Sequence, residues 1–206
     1  MKKKLVLKPF VIPTLYTAFA IIVLVSLFFS VEIEKDKQSI TYVSKIILDN
    51  YVPVINTEDT IVKPYTSDKV STSNNFYDYK GTDEDQTKSI ILYENTYMQN
   101  TGINYTANEA FDVVSILSGE VIEVKEKELL SKTVTIKHSN DIISVYQSLS
   151  DVKVKVGDKV NTGQVIGKSG SCDLIKDSEN NLHFELYING NIVNPNEFFD
   201  KKIGEI

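Results

Sequence analysis

The sequence predicts an all-β domain, an antiparallel sheet of the barrel or sandwich kind, behind one N-terminal transmembrane helix. From about residue 80 onward, runs of β-branched and aromatic residues are interrupted by Gly, Asn and Asp. Two interruptions, "HSNDI" and "INGNI", are typical of tight hairpin turns. No long segment with helical periodicity follows residue 80. These patterns together favour antiparallel strands joined by short turns.

The transmembrane helix is predicted over residues 9–31, "PFVIPTLYTAFAIIVLVSLFFSV", which contain no charged residue and are long enough for one crossing. Four lysines precede this segment, whereas acidic and basic residues mix after it, so the positive-inside rule places the short N-terminus in the cytoplasm. A cleaved signal peptide is the alternative. Its apolar region should span only ~7–15 residues and end in a small-residue cleavage site, which "SLFFSVEIE" lacks.

Four parts of the chain follow from these patterns. Residues 1–8 form a cytoplasmic stub, 9–31 the anchor, 32–61 a juxtamembrane stalk and 62–203 the extracytoplasmic domain. Within the stalk, apolar residues recur at helical spacing until Pro53, which predicts a short helix there. An irregular polar linker is the alternative for the region between the anchor and residue 80.

Composition excludes several classes of partner and site. The chain after the anchor carries 18 basic and 28 acidic residues, a formal charge of −10, which argues against nucleic acid or anionic lipid as the main partner. Cys172 is the only cysteine, so the domain has no internal disulfide. We interpret Cys172 as a small loop side chain that is partly buried, and not as a catalytic thiol.

One stretch near the C-terminus bears directly on metal chemistry. In "NNLHFELYINGNIVNP" the apolar residues alternate with a second set that shares the opposite face of a strand: Asn181, His183, Glu185 and Tyr187. Histidines at both 181 and 183 would place two imidazoles side by side. Only His183 is present.

The order "SGEVIEV", "TVTIKHSNDIISVYQSL", "VKVGDKVNTGQVIGKSG", "LHFELYINGNIVNP" resembles the LytM, or M23, family of zinc metalloendopeptidases that cut peptidoglycan cross-bridges. The resemblance covers about residues 90–199 and implies a LytM/M23-like β fold. Family members carry H-x-G-[IL]-D, then Y-x-H-L, then H-L-H-F-E. The first His, the Asp and the last His bind zinc, and the other two histidines act on the water and the oxyanion.

The resemblance maps the family's site onto five positions of this chain. The first motif falls on "NTGIN", with Asn100 and Asn104 at two zinc-ligand positions, and "YQSL" places Ser148 at the middle catalytic His. "NLHFE" places Asn181 at the other catalytic His and His183 at the third ligand position. The mapping therefore implies no catalytic residue, no metal site and no cofactor, with His183 the only retained ligand type.

Elementary chemistry agrees with this implication. A catalytic zinc site needs three protein ligands and a bound water, and two neutral Asn side chains with one imidazole supply no anionic ligand. Ser148 cannot replace an imidazole as acid or base near neutral pH, and no G-x-S-x-G elbow surrounds it as a nucleophile. His138 lies on the inward-facing register of its strand, where a structural role is expected. The "GDKVNTGQVIGKSG" run is also similar to biotinyl and lipoyl carrier domains, but no modifiable Lys lies at a hairpin tip.

A closer resemblance, to a sporulation group within this family, spans nearly the whole chain and includes "FVIPTLY", "FYDY", "YENTYMQNTGIN" and "VYQSLSDVKVKVGDKV". It implies a forespore-membrane protein that is not an enzyme. In that group the exported domain binds a mother-cell membrane protein, the AH protein of the stage III sporulation complex, to form a ring-shaped channel or zipper in the intermembrane space. Two alternatives stay open: binding of peptidoglycan or activation of a cell-wall hydrolase, and a cryptic M23 endopeptidase.

Overall fold

The computed structural model describes residues 59–127, 129–174 and 180–206. The chain divides into two units, Met1–Tyr51 and Val52–Ile206, and every described residue belongs to the second. Among the residues described, no helix has the length and apolar character needed to cross a bilayer. The stub at 1–8, the anchor at 9–31 and most of the stalk at 32–61 lie outside the described residues.

The β unit is a mainly antiparallel assembly, as the sequence predicts. Its principal sheet follows the order β1-β4-β11-β8-β7-β6-β9, with β10 pairing to both β5 and β8 and β12 pairing to β11. The strands are β1 Ser71–Asn74, β2 Ile90–Tyr93, β3 Thr96–Gln99, β4 Ile103–Thr106, β5 Asp112–Val114, β6 Gly119–Lys127, β7 Ser131–His138, β8 Ile142–Val152, β9 Lys159–Val160, β10 Val165–Ser169, β11 Asn181–Ile188 and β12 Asn191–Val193.

Both hairpin turns predicted from the sequence are present. Asn140 and Asp141 adopt φ values of 55° and 52° between β7 and β8, and Asn189 and Gly190 adopt 51° and 75° between β11 and β12. Positive φ at both central residues is the geometry of a type I′ turn, whose twist matches that of the strands it joins. Asn, Asp and Gly tolerate this geometry better than other residues, so these turns set the register of the long central strands.

The apolar residues of the alternating strands meet on one side of the sheet and form the core. Tyr146 of β8 and Phe184 of β11 are fully buried, with ring centroids 5.2 Å apart. Two segments far apart in sequence close this core: Ile61 and Ile203 are buried, and Thr60 pairs with Lys202. Burying each such side chain contributes roughly 1.5–3 kcal/mol, so the core fixes which strand face points inward.

The opposite side of the central strands is polar and is also buried. Side chains on this face belong to four neighbouring strands: Asn104, Thr133, Thr135, Gln147, His183 and Glu185. Burial of polar groups is tolerated only where hydrogen bonds compensate for lost water. The buried polar side chains of this face are therefore the place to look for a functional site.

Residues 75–102 connect the paired strands β1 and β4 and form a separate layer, here called the β1–β4 connection. A short helix, α1 Asp83–Lys88, begins at Thr82, whose hydroxyl accepts the N–H of Asp85. The run "SIILYENTYM" folds back on itself as the hairpin β2–β3. Glu94 at φ 52° makes the turn. Thr101, near the end of this connection, reaches the polar face through its hydrogen bond to Glu185.

Candidate functional site

His183 lies at the centre of the polar face because of strand register. It is directly opposite Asn104 on β4 and Gln147 on β8. Its ring is buried, with Nδ1 2.5 Å from Asn104 Oδ1 and Nε2 3.2 Å from Glu185 Oε1. Both ring nitrogens therefore face oxygen acceptors, and the ring donates to both when each nitrogen carries a proton.

Glu185 anchors the other side of this imidazole. Its Oε1 accepts hydrogen bonds from Thr101 Oγ1 at 2.5 Å and from His183, and its Oε2 accepts one from the Tyr187 hydroxyl at 3.0 Å. Burial alone would raise the pKa of Glu185, but these hydrogen bonds and the attraction of His183 lower it below its usual value. The contacts among residues 183, 185 and 187 confirm the predicted alternation of β11.

Asn104, at a predicted zinc-ligand position, links the imidazole to the edge of the sheet. Its Nδ2 lies 3.4 Å from Asn74 Oδ1, and Asn74 is its register partner on β1. The Asn104 side chain, on β4, therefore contacts both neighbouring strands, β1 and β11. An aspartate here would lack the donor that faces Asn74 and would bring a negative charge to Nδ1 of His183.

Asn100, at the other predicted Asn position, serves the β1–β4 connection. Its buried side chain donates from Nδ2 to the carbonyl oxygen of Asn75 at 2.8 Å. Its backbone N–H donates to Ser89 O at 3.0 Å, and its carbonyl accepts the N–H of Tyr77 at 2.9 Å. Asn100 therefore ties together both ends of the connection, an arrangement we call the Asn100 clasp.

Gly102, between these two asparagines, has a packing reason to lack a side chain. A Cβ at this position would lie 2.2 Å from the carbonyl oxygen of Phe184, far inside van der Waals contact. The close approach of β4 to β11 therefore requires glycine here. This contact keeps Asn104 and His183 at hydrogen-bonding distance.

Ser148, at the middle histidine position, occupies an irregular point of β8. The pairing of β7 and β8 shifts between Lys132 and Val134, and Ser148 there has φ 68°. Its backbone N–H donates to Leu130 O at 2.9 Å, while its buried hydroxyl has no hydrogen-bond partner within the described residues.

Asn181, at the second catalytic histidine position, is the first residue of β11 and is fully buried. Its backbone exchanges two hydrogen bonds with Gly170, at 2.7 and 3.1 Å, and it pairs with Thr106 on β4. The strand thus places it on the same face as His183, two residues away. Asn181 holds the start of β11 against the loop that follows β10.

The residues at this site do not fit a zinc ion. Zinc binds nitrogen and oxygen ligands at about 2.0–2.2 Å in tetrahedral geometry, which separates two ligand atoms by roughly 3.4 Å. The Nδ1 of His183 and Oδ1 of Asn104 are 2.5 Å apart and bond to each other directly. In the part of the chain described, no three or more His, Cys, Asp or Glu side chains are grouped so as to hold a metal.

His138 belongs to a separate buried string of polar groups, as its register predicts. Its Nδ1 lies 3.1 Å from Ser118 O, and its Nε2 lies 2.7 Å from Ser144 Oγ. That hydroxyl is 3.1 Å from the Tyr146 hydroxyl, which accepts the N–H of Ile116 at 2.9 Å. Loss of hydration lowers the pKa of His138 to about 4, so its ring is neutral at physiological pH.

Sequence reasoning missed the partners that complete the site. Asn74 and Asn75 lie in no motif and Thr101 is a variable position within "NTGIN", and only the pairing of β1 with β4 brings them to the site. Glu185 gave a signal, because it alternates with His183 on one strand face and a metal-binding histidine usually donates its second N–H to such a carboxylate. Cys172 is buried, whereas the sequence predicts it to be only partly buried.

Comparison with known proteins gives a consistent set of relatives. The family model of peptidase family M23 matches residues 98–195. Stage II sporulation protein Q of Bacillus subtilis (strain 168) is 36% identical over 161 residues, which are 77% of this chain and 57% of that protein. The chain therefore spans somewhat more than half the length of this relative.

Solved structures extend the likeness to three dimensions. A chain from the structure of the SpoIIQ–SpoIIIAH pore-forming complex is 36% identical with a TM-score of 0.69, covering 72% of this chain and 96% of that one. A chain from a crystal structure of the SpoIIIAH and SpoIIQ complex is 37% identical with a TM-score of 0.65, covering 68% and 99%. The observed architecture is thus a LytM/M23-like fold.

Proposed function

Because the chain belongs to the family of stage II sporulation protein Q, we propose that it is a non-catalytic sporulation protein whose β domain binds a SpoIIIAH-type membrane protein. The observation that carries the binding role is the likeness to chains from SpoIIQ–SpoIIIAH complexes, which spans nearly the whole of those chains. The function of this chain is then recognition and not chemistry.

The geometry of the polar face supports the non-catalytic part of the proposal. The atoms of Asn104 and His183 that would face a metal bond to each other, and Asn100 donates from Nδ2 to Asn75 in the connection. Ser148 and Asn181 offer no imidazole at the two positions that would act on the water and the oxyanion. Peptide hydrolysis therefore lacks both an activated water and a general base.

The proposal also covers the membrane topology of the chain and its location in the cell. Residues 9–31 would anchor the chain in the forespore membrane with residues 1–8 in the cytoplasm, while 32–61 form a stalk and 62–203 the binding domain in the intermembrane space. Assembly of the two proteins into a ring would then join the two membranes as a channel or zipper. Support for the anchor is the uncharged apolar segment itself.

Binding of peptidoglycan, or activation of a cell-wall hydrolase, is the second candidate function. One observation favours it: the match to peptidase family M23 covers residues 98–195, which include all four strands of the polar face. Such a domain could retain affinity for the family's substrate after losing the chemistry. The two candidates differ in the partner that they require, so a direct comparison separates them.

The full chain, purified in mild detergent, is the right material for this comparison. We expect it to bind the purified exported domain of the same organism's SpoIIIAH-type protein in calorimetry, and to remain in the supernatant when cell-wall sacculi are pelleted. The reverse pattern would favour the second candidate. Release of muropeptides from sacculi, above the level of a Ser148→Ala and Asn181→Ala double variant, would restore the enzyme hypothesis.

Zinc titration tests the proposal that the chain is not an enzyme, independently of the proposal that it binds a partner. We expect the full chain to bind zinc no more tightly than a His183→Ala variant does, because the predicted site supplies only one metal-type ligand. Elemental analysis of the purified chain gives an independent measure. Stoichiometric zinc that the His183→Ala variant loses would mean that the residue-by-residue mapping is wrong.

A further inference from the structure

Strand β6 lies near one lateral edge of the principal sheet, and most of its outer side is open. β9 pairs with it only at Gly119 and Glu120, and the loop before β9 reaches Val121, whose N–H donates to Asp158 O at 2.9 Å. Over residues 122–127, no described residue pairs with β6 on the side away from β7. Alternate N–H and C=O groups of this stretch therefore point outward and can pair with another strand.

The open stretch of β6, here called the β6 edge (residues 122–127), keeps regular strand geometry. Edge strands that avoid pairing usually contain a proline, a bulge or a charge that disturbs the approach of another strand. The bulge of β6 lies at the covered start of the strand, between Val121 and Glu123, and the register with β7 is regular from Glu123 to Lys127. The β6 edge contains neither Pro nor Gly. Its charges therefore decide what can pair with it.

These charges form a pattern that is complementary to itself. Glu123 and Lys125 lie opposite threonines of β7, so both project from the polar face, where their side chains form a salt bridge. Val124, between them, lies opposite a valine of β7 and packs against the core. The β6 edge carries two acidic and two basic residues, so it is locally neutral in a chain whose part after the anchor carries −10. Net charge therefore does not oppose the meeting of two such edges at the contact itself.

An antiparallel pair of two β6 edges centred on Val124 satisfies this pattern. In that register Val124 faces Val124 of the second copy, and each Glu123 faces a Lys125 across the axis, which is the stabilising arrangement for opposed charges. Residues 122–126 of each copy then pair, which fits within the open length, while Val121 stays under its loop. Sliding one strand by two residues would set Glu123 or Lys125 against its own copy, and sliding by one would turn a core face toward a polar face.

We propose that two copies of this chain associate through their β6 edges, antiparallel and centred on Val124, so that the two sheets become continuous. The contact is isologous, because the same residues serve both copies, and it closes at two copies. It therefore differs from the head-to-tail contact that a ring requires. The inference does not rest on the proposed function, since no residue of a different partner takes part in it.

The test measures self-association of the full chain by sedimentation equilibrium in a mild detergent of matched density. Glu123→Lys makes the four facing side chains of a pair basic, and Lys125→Glu makes them acidic. Glu126→Lys is the matched control, because it changes the net charge as Glu123→Lys does, but at an exposed residue on the other face of β6. Thermal unfolding of each variant shows whether the fold is kept.

We expect Glu123→Lys and Lys125→Glu each to weaken self-association about tenfold, because two symmetry-related pairs change from attraction to repulsion. Glu126→Lys should associate like the parent. An equimolar mixture of the Glu123→Lys and Lys125→Glu chains should recover the parental affinity to within about threefold, because every basic side chain then faces an acidic one. Such recovery depends on contact between two chains, so a change in the stability of either variant alone would not produce it.

Three outcomes would overturn the inference. The first is a parent chain that stays monomeric, and this result would leave partner binding, which is measured separately, untouched. The second is self-association that neither single variant weakens, which would assign the contact to another surface or to the apolar segment 9–31. The third is weakening in both single variants without recovery in their mixture, which would refute the register centred on Val124.

Discussion

Replacing His138 should remove a large part of the acid sensitivity of the domain. The imidazole is fully buried between Ser118 O and Ser144 Oγ, and burial lowers its pKa to about 4. In the unfolded chain the same ring has a pKa near 6.5. The unfolded state therefore binds more protons between these two values, and the free energy of unfolding falls as the pH drops through this window.

The size of the effect follows from the two pKa values. At pH 5, a folded pKa of about 4 and an unfolded value near 6.5 give a loss of about 2 kcal/mol relative to pH 7.5. Below pH 4 the loss approaches about 3 kcal/mol. Tyr146, at the end of the same string, does not contribute, because burial raises its pKa to about 12 and it stays neutral throughout.

Urea unfolding of residues 52–206, the unit that contains the whole described core, provides the assay. We would compare the parent with His138→Gln and His138→Asn at pH 7.5 and pH 5. Both variants lose stability at pH 7.5, but their change between the two pH values should be smaller than that of the parent by about 2 kcal/mol. The difference between chains cancels the contributions of the carboxylates and of His183.

An identical pH dependence in the parent and both variants would refute this reasoning. So would a His138 imidazole resonance that titrates near pH 6.5 in NMR spectra of the folded domain. Either result would mean that water reaches the ring and that the polar string is not isolated from solvent. Two variants are used because glutamine and asparagine each reproduce only one of the two hydrogen bonds.

Three further predictions concern the polar face. Asn100→His with Asn104→Asp restores the residue types of the family's zinc ligands but should not bind zinc stoichiometrically in calorimetry, because the side chain at position 100 faces Asn75 and the connection and not His183; tight zinc binding that an added His183→Ala abolishes would contradict this placement of position 100. Asn100→Ala should lower the free energy of unfolding by about 1–3 kcal/mol, because it leaves the carbonyl of Asn75 without its donor, and hydrogen exchange at β2 and β3 should rise; unchanged protection there would refute the clasp. Gly102→Ala should destabilise the domain by more than about 2 kcal/mol in urea unfolding, since its Cβ meets backbone that cannot yield, whereas Gly163→Ala, with open space around it, should cost less.

The strand pattern of the sequence predicts much of the fold for a physical reason. Alternation at His183 and Glu185, and the turns at Asn140 and Asn189, depend on local geometry that each short segment determines alone. The structure of the connection is harder to predict, because six residues of helix fall below the length at which periodicity is visible, and Glu94 is not a residue that usually marks a turn. No local pattern therefore predicts the turn between β2 and β3.

In the candidate site, too, the sequence predicts some of the contacts and not others. The resemblance placed Asn100, Asn104 and His183 in one region, and the structure brings Asn104 and His183 into direct contact. Asn100 instead faces the connection, a role that depends on Asn75 and Ser89 and thus on a contact across 25 residues of chain. No local sequence pattern predicts this contact between distant residues, so only the folded structure shows it.

The direct bond between Asn104 and His183 has a consequence for how the protein becomes competent. A domain pinned by a metal must acquire its ion after export, and its maturation then depends on supply, on competing chelators and on a metallation step. Here amide and imidazole groups hold the same strands together as soon as the chain folds. Under the proposed function, folding alone would complete the exported domain, and its assembly would not depend on the supply of a metal.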